Sequence, residues 1–301
     1  MLSIVIPVYN RRELLEETLN SVRQQKRADW ECILVDDHST DGADETAQEY
    51  AAKDPRFRWY RRPEGLVRGP SSCRNEGLRR AAGDVIFFMD SDDVIDPDFW
   101  KIFGGILDRY PKLDFLSIRF GRFHRDPKHC YRYSPKKPRH LSTVESLAGG
   151  KISHATHSFL WRKTFLSDCQ VSWPPGLTVY EDLVFAFHAA ACSSNNKAVS
   201  LPILYYYRKH RSELRRDSGR SEKQLEMSVQ AFEILVQICE RKECSLKTRE
   251  LLAGRLRKAM WKCSGSRNRE LIDRLNELKK RLNVSTWSFS EMLLFLSKMR
   301  F

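Results

Sequence analysis

The stretch "DVIFFMDSDDVIDPDFW", residues 84–100, sends an apolar run, Val85 to Met89, straight into Asp90, Asp92 and Asp93. A short β-branched and aromatic run bounded by polar residues reads as a buried strand. Three carboxylates at its end repel one another, so they form either a solvated Asp-rich turn or a cation site. Hard carboxylate oxygens suit Mg²⁺ or Mn²⁺, which bind through one or two acids and complete their shell with water and phosphate oxygens. A metal at Asp90 and Asp92 therefore implies a diphosphate.

A second acid pair, Asp36-Asp37, closes the run "ECILVDDHSTDG". Asp37 at that strand end could accept from a base N–H, and Arg74, at the start of a helix before the 85–89 strand, could offer its fork to a phosphate or a base edge. Together these residues suggest a nucleoside diphosphate lying across one edge of a sheet. Other chemistries find little support. No G-x-G-x-x-G follows the first strand, where the chain reads "PVYNRRELLEE", so NAD and FAD are not expected. Counting twelve from Asp37 ends at Gln48, where a calcium loop needs a bidentate Glu. Walker A, G-x-S-x-G and H-E-x-x-H patterns are absent. His154 and His157 stand three apart with no third ligand nearby, and read as loop or acceptor-side residues.

The elements that must position these residues alternate strand and helix signals in the manner of a βαβ fold. "LSIVIPVYN" reads as a strand buried on both faces, and Leu14, Leu15, Leu19 and Val22 fall at helical spacing. "ADETAQEYAAKD" reads as a helix, "RFRWYRRPEG" as a short strand, and "SSCRNEGLRRAAG" as a helix closed by Gly83. In an open parallel sheet ligands bind at the carboxyl ends of strands, which puts both acid clusters on the ligand edge. "GRFHRDPKHCYRYSPKKPRH" is expected to form a long loop or irregular hairpin near the site, and "ISHATHSFLWRKTFLSD" to start as a strand and continue as a short helix. "GLTVYEDLVFAFHAAACSS" reads as a turn entering a helix with Glu181 and Asp182 in its first turn, where acids also suit the helix dipole. From Glu222 onward helical periodicity dominates.

The chain has 301 residues and a formal charge of +13. Residues 208–301 hold 23 Lys and Arg against 12 Asp and Glu, while the remainder holds 29 against 27. This pattern predicts a nearly neutral catalytic domain, residues 1–215, followed by a basic helical region, residues 216–301. Nucleic acid is not an expected partner. No apolar run approaches the ~18 residues of a membrane span, and "MLSIVIPVYN" lacks the features of a signal peptide. The eight cysteines include no C-x-x-C, which fits reduced thiols in the cytosol.

In order, "SIVIPVYN", "ILVDDHSTDG", "RNEGLRRAAGD", "FFMDSDD" and "YEDLVFAFHAA" resemble a family 2 glycosyltransferase of the GT-A fold, over roughly residues 1–215, with fainter matches in "FLWRKTFL" and "LYYYRKHRSE". The resemblance implies an α/β fold, a mostly parallel Rossmann-like sheet flanked by helices, with a C-terminal helical extension. It implies that Pro7, Val8, Tyr9 and Asn10 line the nucleotide pocket, that Asp37 meets a uracil-type base, and that Arg74 lies beside it. Asp90, Ser91 and Asp92 would be the D-x-D, with Asp92 the more direct ligand of Mn²⁺ or Mg²⁺. His210 would be a third metal or diphosphate contact, and Asp182 the catalytic base. The implied reaction is an inverting transfer from a nucleotide sugar, a UDP-sugar first among them, to a hydroxyl of a growing surface glycan or lipid-linked glycan.

Trp161 and Trp173, with the basic and aromatic segment from Arg119 to Arg139, are expected to offer stacking faces to acceptor sugars. Leu271, Leu275, Leu278 and Leu282 form an apolar stripe beside Arg274, Lys279, Lys280 and Arg281, followed by "WSFSEMLLFLSKMRF". Such helices either lie on the anionic inner face of the cell membrane or pack on protein, including a second subunit in a homo-oligomer. The rival classes are a nucleotidyltransferase acting on a sugar phosphate, and a non-catalytic basic module binding nucleic acid or membrane. The first should show a Gly-rich N-terminal signature that "PVYNRRELL" lacks, and the second leaves both acid clusters without a purpose.

Overall fold

The computed structural model describes residues 1–199, 202–210, 221–263 and 269–284. In chain order the elements begin with β1 (Leu2–Val8), α1 (Arg12–Arg23), β2 (Trp30–Asp36), α2 (Ala43–Lys53), β3 (Phe57–Arg61), α3 (Pro70–Arg80) and β4 (Val85–Phe88). They continue with β5 (Val94–Ile95), α4 (Phe99–Arg109), β6 (Phe115–Ser117), β7 (Gly121–Phe123), β8 (Arg132–Tyr133) and α5 (Thr143–Ala148). After a 3-10 turn at Thr156–Ser158 come β9 (Phe159–Arg162), α6 (Lys163–Asp168), α7 (Glu181–Cys192), β10 (Asn196–Ala198) and β11 (Tyr205–Arg208). The last three are α8 (Glu222–Arg241), α9 (Leu246–Cys263) and α10 (Arg269–Leu282). The chain packs as two compact units, residues 1–136, 155–176 and 193–214 in the first, and residues 137–154, 177–192 and 215–301 in the second.

The first unit holds a seven-stranded sheet, order β10-β6-β9-β4-β1-β2-β3, and a four-stranded sheet, order β5-β11-β7-β8. β1, β2, β3 and β4 run parallel, and β9 is antiparallel to both β4 and β6. This is the mostly parallel α/β sheet expected of the GT-A architecture. Alternate β1 side chains Leu2, Ile4, Ile6 and Val8 face a core shared with Leu15 and Leu19 of α1, Ala43 and Ala47 of α2, and Phe99 and Phe103 of α4. The other face of β1 receives α3. A Cβ on Gly77 would lie 2.3 Å from Val5 Cγ1, so only glycine lets that helix approach the strand so closely.

The strand order switches between β1 and β4. β2 stays in register with β1 through Val8↔Asp36, whereas β4 leaves it after Val5↔Phe88. Leu2 N–H donates to Asp29 O on the β2 side, so strand alternation turns residues 3, 5 and 7 towards β4. Pro7, which has no N–H, thus stands where β4 has already departed and no ladder bond is lost.

The irregular segments also find their places. The basic aromatic stretch forms a hairpin, with β7 antiparallel to β8 and parallel to β11. The segment from Ile152 makes its 3-10 turn first, and only Phe159–Arg162 is strand. In the second unit α8 starts with a capping box from Ser221 and Gln224. The stripe of Leu271, Leu275, Leu278 and Leu282 is buried, each side chain at most 2% exposed. Arg274 is held by Glu226 at 2.6 Å and Glu233 at 2.8 Å, and Arg281 by Glu240 at 2.6 Å. This settles the stripe: it packs on protein, not on a leaflet. The segment "WSFSEMLLFLSKMRF" and the end of "LYYYRKHRSE" lie outside the described residues. No helix among the described residues is long and apolar enough to cross a membrane.

Candidate active site

At the ends of β1 and β2 two loops are tied together. Asp37 N–H donates to Val8 O at 2.8 Å, Thr40 N–H to the Asn10 side-chain oxygen at 2.8 Å, and Asn10 N–H to Ser39 Oγ at 3.1 Å. Asn10 and His38 make this possible by adopting positive φ, 48° and 60°. Asp36 turns inward and accepts from Ser39 N–H, while Asp37 is buried and accepts from Arg62 and, at 2.9 Å, from Gly69 N–H. Gly69, at φ 129°, occupies a conformation that side chains resist. Each carboxylate oxygen has a second lone pair, so Asp37 keeps capacity to accept another donor. Tyr9 is exposed, with the Arg68 guanidinium 4.6 Å over its ring.

At the end of β4 the acids separate into two groups. Asp92 meets His210 Nε2 at 2.7 Å and Arg11 at 3.6 Å. Asp90 accepts from Arg74 at 2.8 Å, and the Arg74 guanidinium lies 4.5 Å over the buried Trp173 ring. Asp93 is fully buried and accepts from Tyr205 O–H and, at 2.7 Å, from Arg208 N–H. Arg208 also donates from Nε to Asp92 O at 2.8 Å and from its other end to Glu17, which pins the acidic turn to α1. His157 is stacked against Tyr205 at 4.3 Å and set edge-on to Phe120 at 4.4 Å. Asp90, Asp93 and His157 each bring one ligand atom within 4.8 Å of the others.

The electrostatics favour a cation here. Burial and then the charge of Asp90 raise the Asp92 carboxyl above its ordinary range. Burial, then Asp92 and Asp90, raise Asp93 further. Burial pushes His157 down to about 3, so its imidazole is neutral, and neither ring nitrogen has a hydrogen-bond partner among the described residues. Crowded carboxylates that resist ionisation, beside a neutral, unpartnered imidazole, are a donor set that fits a divalent cation.

Asp182 belongs to the second unit. It is half-buried, in the first turn of α7 directly after Glu181. The residue before that pair, Tyr180, has φ 64°, and its ring packs edge-on against Phe232 at 5.6 Å. Of the six non-glycine residues at positive φ among the described residues, Gln170, Glu243 and Asn283 merely follow helix ends, whereas Asn10, His38 and Tyr180 lie among or beside the residues singled out for chemistry. Strain of this kind, of order 1–3 kcal/mol, persists where surrounding structure imposes it.

Residues 3–167, more than half of the chain, match the family model "Glycosyl transferase family 2". The chain belongs to that family. The chain is 28% identical to the putative glycosyltransferase EpsH of Bacillus subtilis (strain 168) over 222 residues, 70% of this chain and 62% of that one. It is 26% identical over 218 residues to Staphylococcus aureus (strain MW2) TarS, named a poly(ribitol-phosphate) β-N-acetylglucosaminyltransferase, covering 70% of this chain and 36% of TarS. The chain thus spans less than two thirds of the length of either curated relative. The structure of S. aureus TarS residues 1–349 in complex with UDP superimposes with a TM-score of 0.74 at 19% identity, covering 99% of this chain and 87% of that one. The mannosyltransferase PcManGT of Pyrobaculum calidifontis, in complex with GDP-Man and Mn²⁺, gives a TM-score of 0.51 at 17% identity, over 98% and 78% of the two chains.

Pro7, Val8, Tyr9, Asn10, Asp37, Arg74, Asp90, Ser91, Asp92 and His210 all fall in the first unit, at or beside the carboxyl ends of β1, β2 and β4. Two expectations fail. Trp161 and Trp173 cannot offer faces to acceptor sugars, because each is 1% exposed; Trp161 packs on Phe115 and Phe159, and Trp173 on Phe88 and Arg74. His157, expected to be a loop or acceptor-side residue, lies in the 3-10 turn Thr156–Ser158, 2% exposed, and faces Asp90 and Asp93. The sequence reading also passed over Arg11, Arg62 and Arg208. Arg62, one residue past the end of β3 beside the end of β2, is the one that strand order could have found.

Proposed function

We propose that this chain transfers a sugar, with inversion, from a nucleotide-sugar donor, a UDP-sugar first among them, to a hydroxyl of a growing surface glycan or lipid-linked glycan. The observation that carries this reading is the pairing, at one sheet edge, of Asp37 at the end of β2 with the Asp90, Asp92 and Asp93 cluster at the end of β4. Asp37 would meet the base, with Pro7, Val8, Tyr9 and Asn10 beside it. The names of the relatives support the substrate class, since TarS was solved with UDP and is named for its action on poly(ribitol-phosphate). Membership of a glycosyltransferase family argues against the nucleotidyltransferase and the non-catalytic module.

Asp92, Asp90 and His210 would hold Mn²⁺ or Mg²⁺, which supplies positive charge against the diphosphate leaving group. Arg74, fixed by Asp90 and Trp173, would orient that diphosphate. Asp182 would take the proton from the acceptor hydroxyl as its oxygen bonds to the anomeric carbon, and the bond from that carbon to the diphosphate breaks with its electron pair. Residues 1–215 would carry this chemistry and residues 216–301 would form the basic helical region. A cytoplasmic location, peripheral on the inner face of the cell membrane, completes the reading. With the leucine stripe buried, such association would use the basic outer faces of α9 and α10. A panel of nucleotide sugars, assayed for slow hydrolysis without acceptor, tests the donor reading. Metal-dependent turnover of a UDP-sugar is the expected result; no turnover and no binding of any nucleotide sugar would refute it.

A further inference from the structure

The β7–β8 hairpin carries charge and aromatic surface that the donor site does not use. Residues 119–136 hold six Lys and Arg against Asp126 alone, within a first two thirds of the chain whose charges otherwise nearly cancel. Arg125, Lys128 and Lys136 are exposed and make no ion pair among the described residues. Asp126 is already engaged, by His129 at 3.0 Å and by Lys128 N–H at 2.9 Å. Tyr131 and Tyr133 are each 52% exposed, and Tyr131 is stacked flat on His124, at 4.7 Å and 5°. Ring faces of this kind take the C–H face of a sugar or polyol while the hydroxyl stays in water.

This surface is built onto the reaction centre. His124 Nδ1 lies 3.0 Å from Lys209 O, and Lys209 N–H donates to Phe123 O at 2.8 Å. The next residue, His210, touches Asp92. From the Tyr131 ring to the Asp92 carboxylate the path therefore runs through three residues, His124, Lys209 and His210.

We propose that the acceptor is an anionic glycan, bearing phosphate or carboxylate groups along its length, and that the β7–β8 hairpin holds it. The proposal rests on the glycosyltransferase reading above and adds the acceptor class. Arginine and lysine match phosphate and carboxylate oxygens, and the exposed tyrosine rings match the polyol or sugar between them. A lipid leaflet fits less well. Residues 119–136 contain no Leu, Ile, Val, Met or Ala, and Phe120 and Phe123 are buried, so the hairpin has no aliphatic face to insert.

The test titrates the full chain with poly(glycerol phosphate), with dextran of matched length, and with phosphatidylglycerol vesicles, and reads UDP affinity with Mn²⁺ in the same preparations. The phosphate polymer should bind, more weakly as salt rises, and dextran should not. The triple variant Arg125→Glu, Lys128→Glu, Lys136→Glu should lose about tenfold or more in polymer affinity. Tyr131→Ala should weaken it with the charge intact, and UDP affinity should hold in every variant. Equal binding of dextran, an unchanged triple variant, or vesicles bound in preference to the polymer would overturn the proposal. Failure of the wild-type chain to bind UDP with Mn²⁺ would instead remove the donor reading, so the two failures are separable.

Discussion

Asp182 separates a structural role from a chemical one by a single substitution. If it only stabilises the start of α7, Asn replaces it at a cost of ~0.3–1 kcal/mol and activity barely changes. If it is the general base, Asn keeps the shape but cannot take the proton, a loss on the order of 10²–10⁴ in rate. Asp182→Asn should therefore bind UDP normally, melt within a few degrees of wild type, and transfer at least ~100-fold more slowly. Near-parental transfer would pass the role to Glu181. Asp92 and Asp93 make a prediction about pH. Both carboxyls hold protons more tightly in the folded chain than at the ordinary value of 3.8, because of burial and, after it, the charge of Asp90 on Asp92 and of Asp92 and Asp90 on Asp93. The folded state then binds the extra protons, so metal-free stability falls as pH rises from that value through the raised ones. A cation must displace those protons, so the gain in Tm from Mn²⁺ should grow with pH over the same window. Asp92→Asn in EDTA at neutral pH should melt at or above wild type and lose the Mn²⁺ gain. A variant that keeps the gain would put the metal on Asp90, Asp93 and His157.

At the scale of elements, α3 carries Arg74 to the site and depends on one close contact. Gly77→Ala drives a methyl into Val5 and should cost ~1–3 kcal/mol in denaturant unfolding. Combined with Val5→Ala, the loss should be smaller than the sum of the two single losses, since the second change opens the space the first one fills. Simple additivity would show that the helix and strand are not wedged there. Much of this layer was legible beforehand. β1, β2 and β4 are continuous apolar runs, α1 has its apolar residues at helical spacing, and acids at two strand ends mark the ligand edge. The remainder had no local signal. Asp93 meets Tyr205 and Arg208 across 112 and 115 residues of chain, and no periodicity records a pairing at that distance. His157 looks in sequence like an ordinary loop histidine, and the turn that holds it reaches the acids because it leads into β9, which pairs antiparallel with β4. Trp161 and Trp173 pack in the core, each 1% exposed, since an indole serves a core as readily as a sugar face.

For the whole molecule, the basic C-terminal third raised the question of membrane or protein. Arg274 and Arg281 spend their charge on Glu226, Glu233 and Glu240, and the leucine stripe lies between helices of the second unit. Leu275→Ala should accordingly cost ~2–5 kcal/mol and lower Tm, as a core truncation does. An unchanged Tm with loss of binding to anionic vesicles would instead return the stripe to a leaflet. The central claim is that the sheet edge between β1, β2 and β4 binds a nucleoside diphosphate through a cation. Calorimetric titration of UDP into the full chain, once with Mn²⁺ and once with EDTA, tests it most directly. Binding with Mn²⁺ that is lost with EDTA, and lost in Asp92→Ala under either condition, is the predicted result; equal UDP affinity with Mn²⁺ and with EDTA would contradict it.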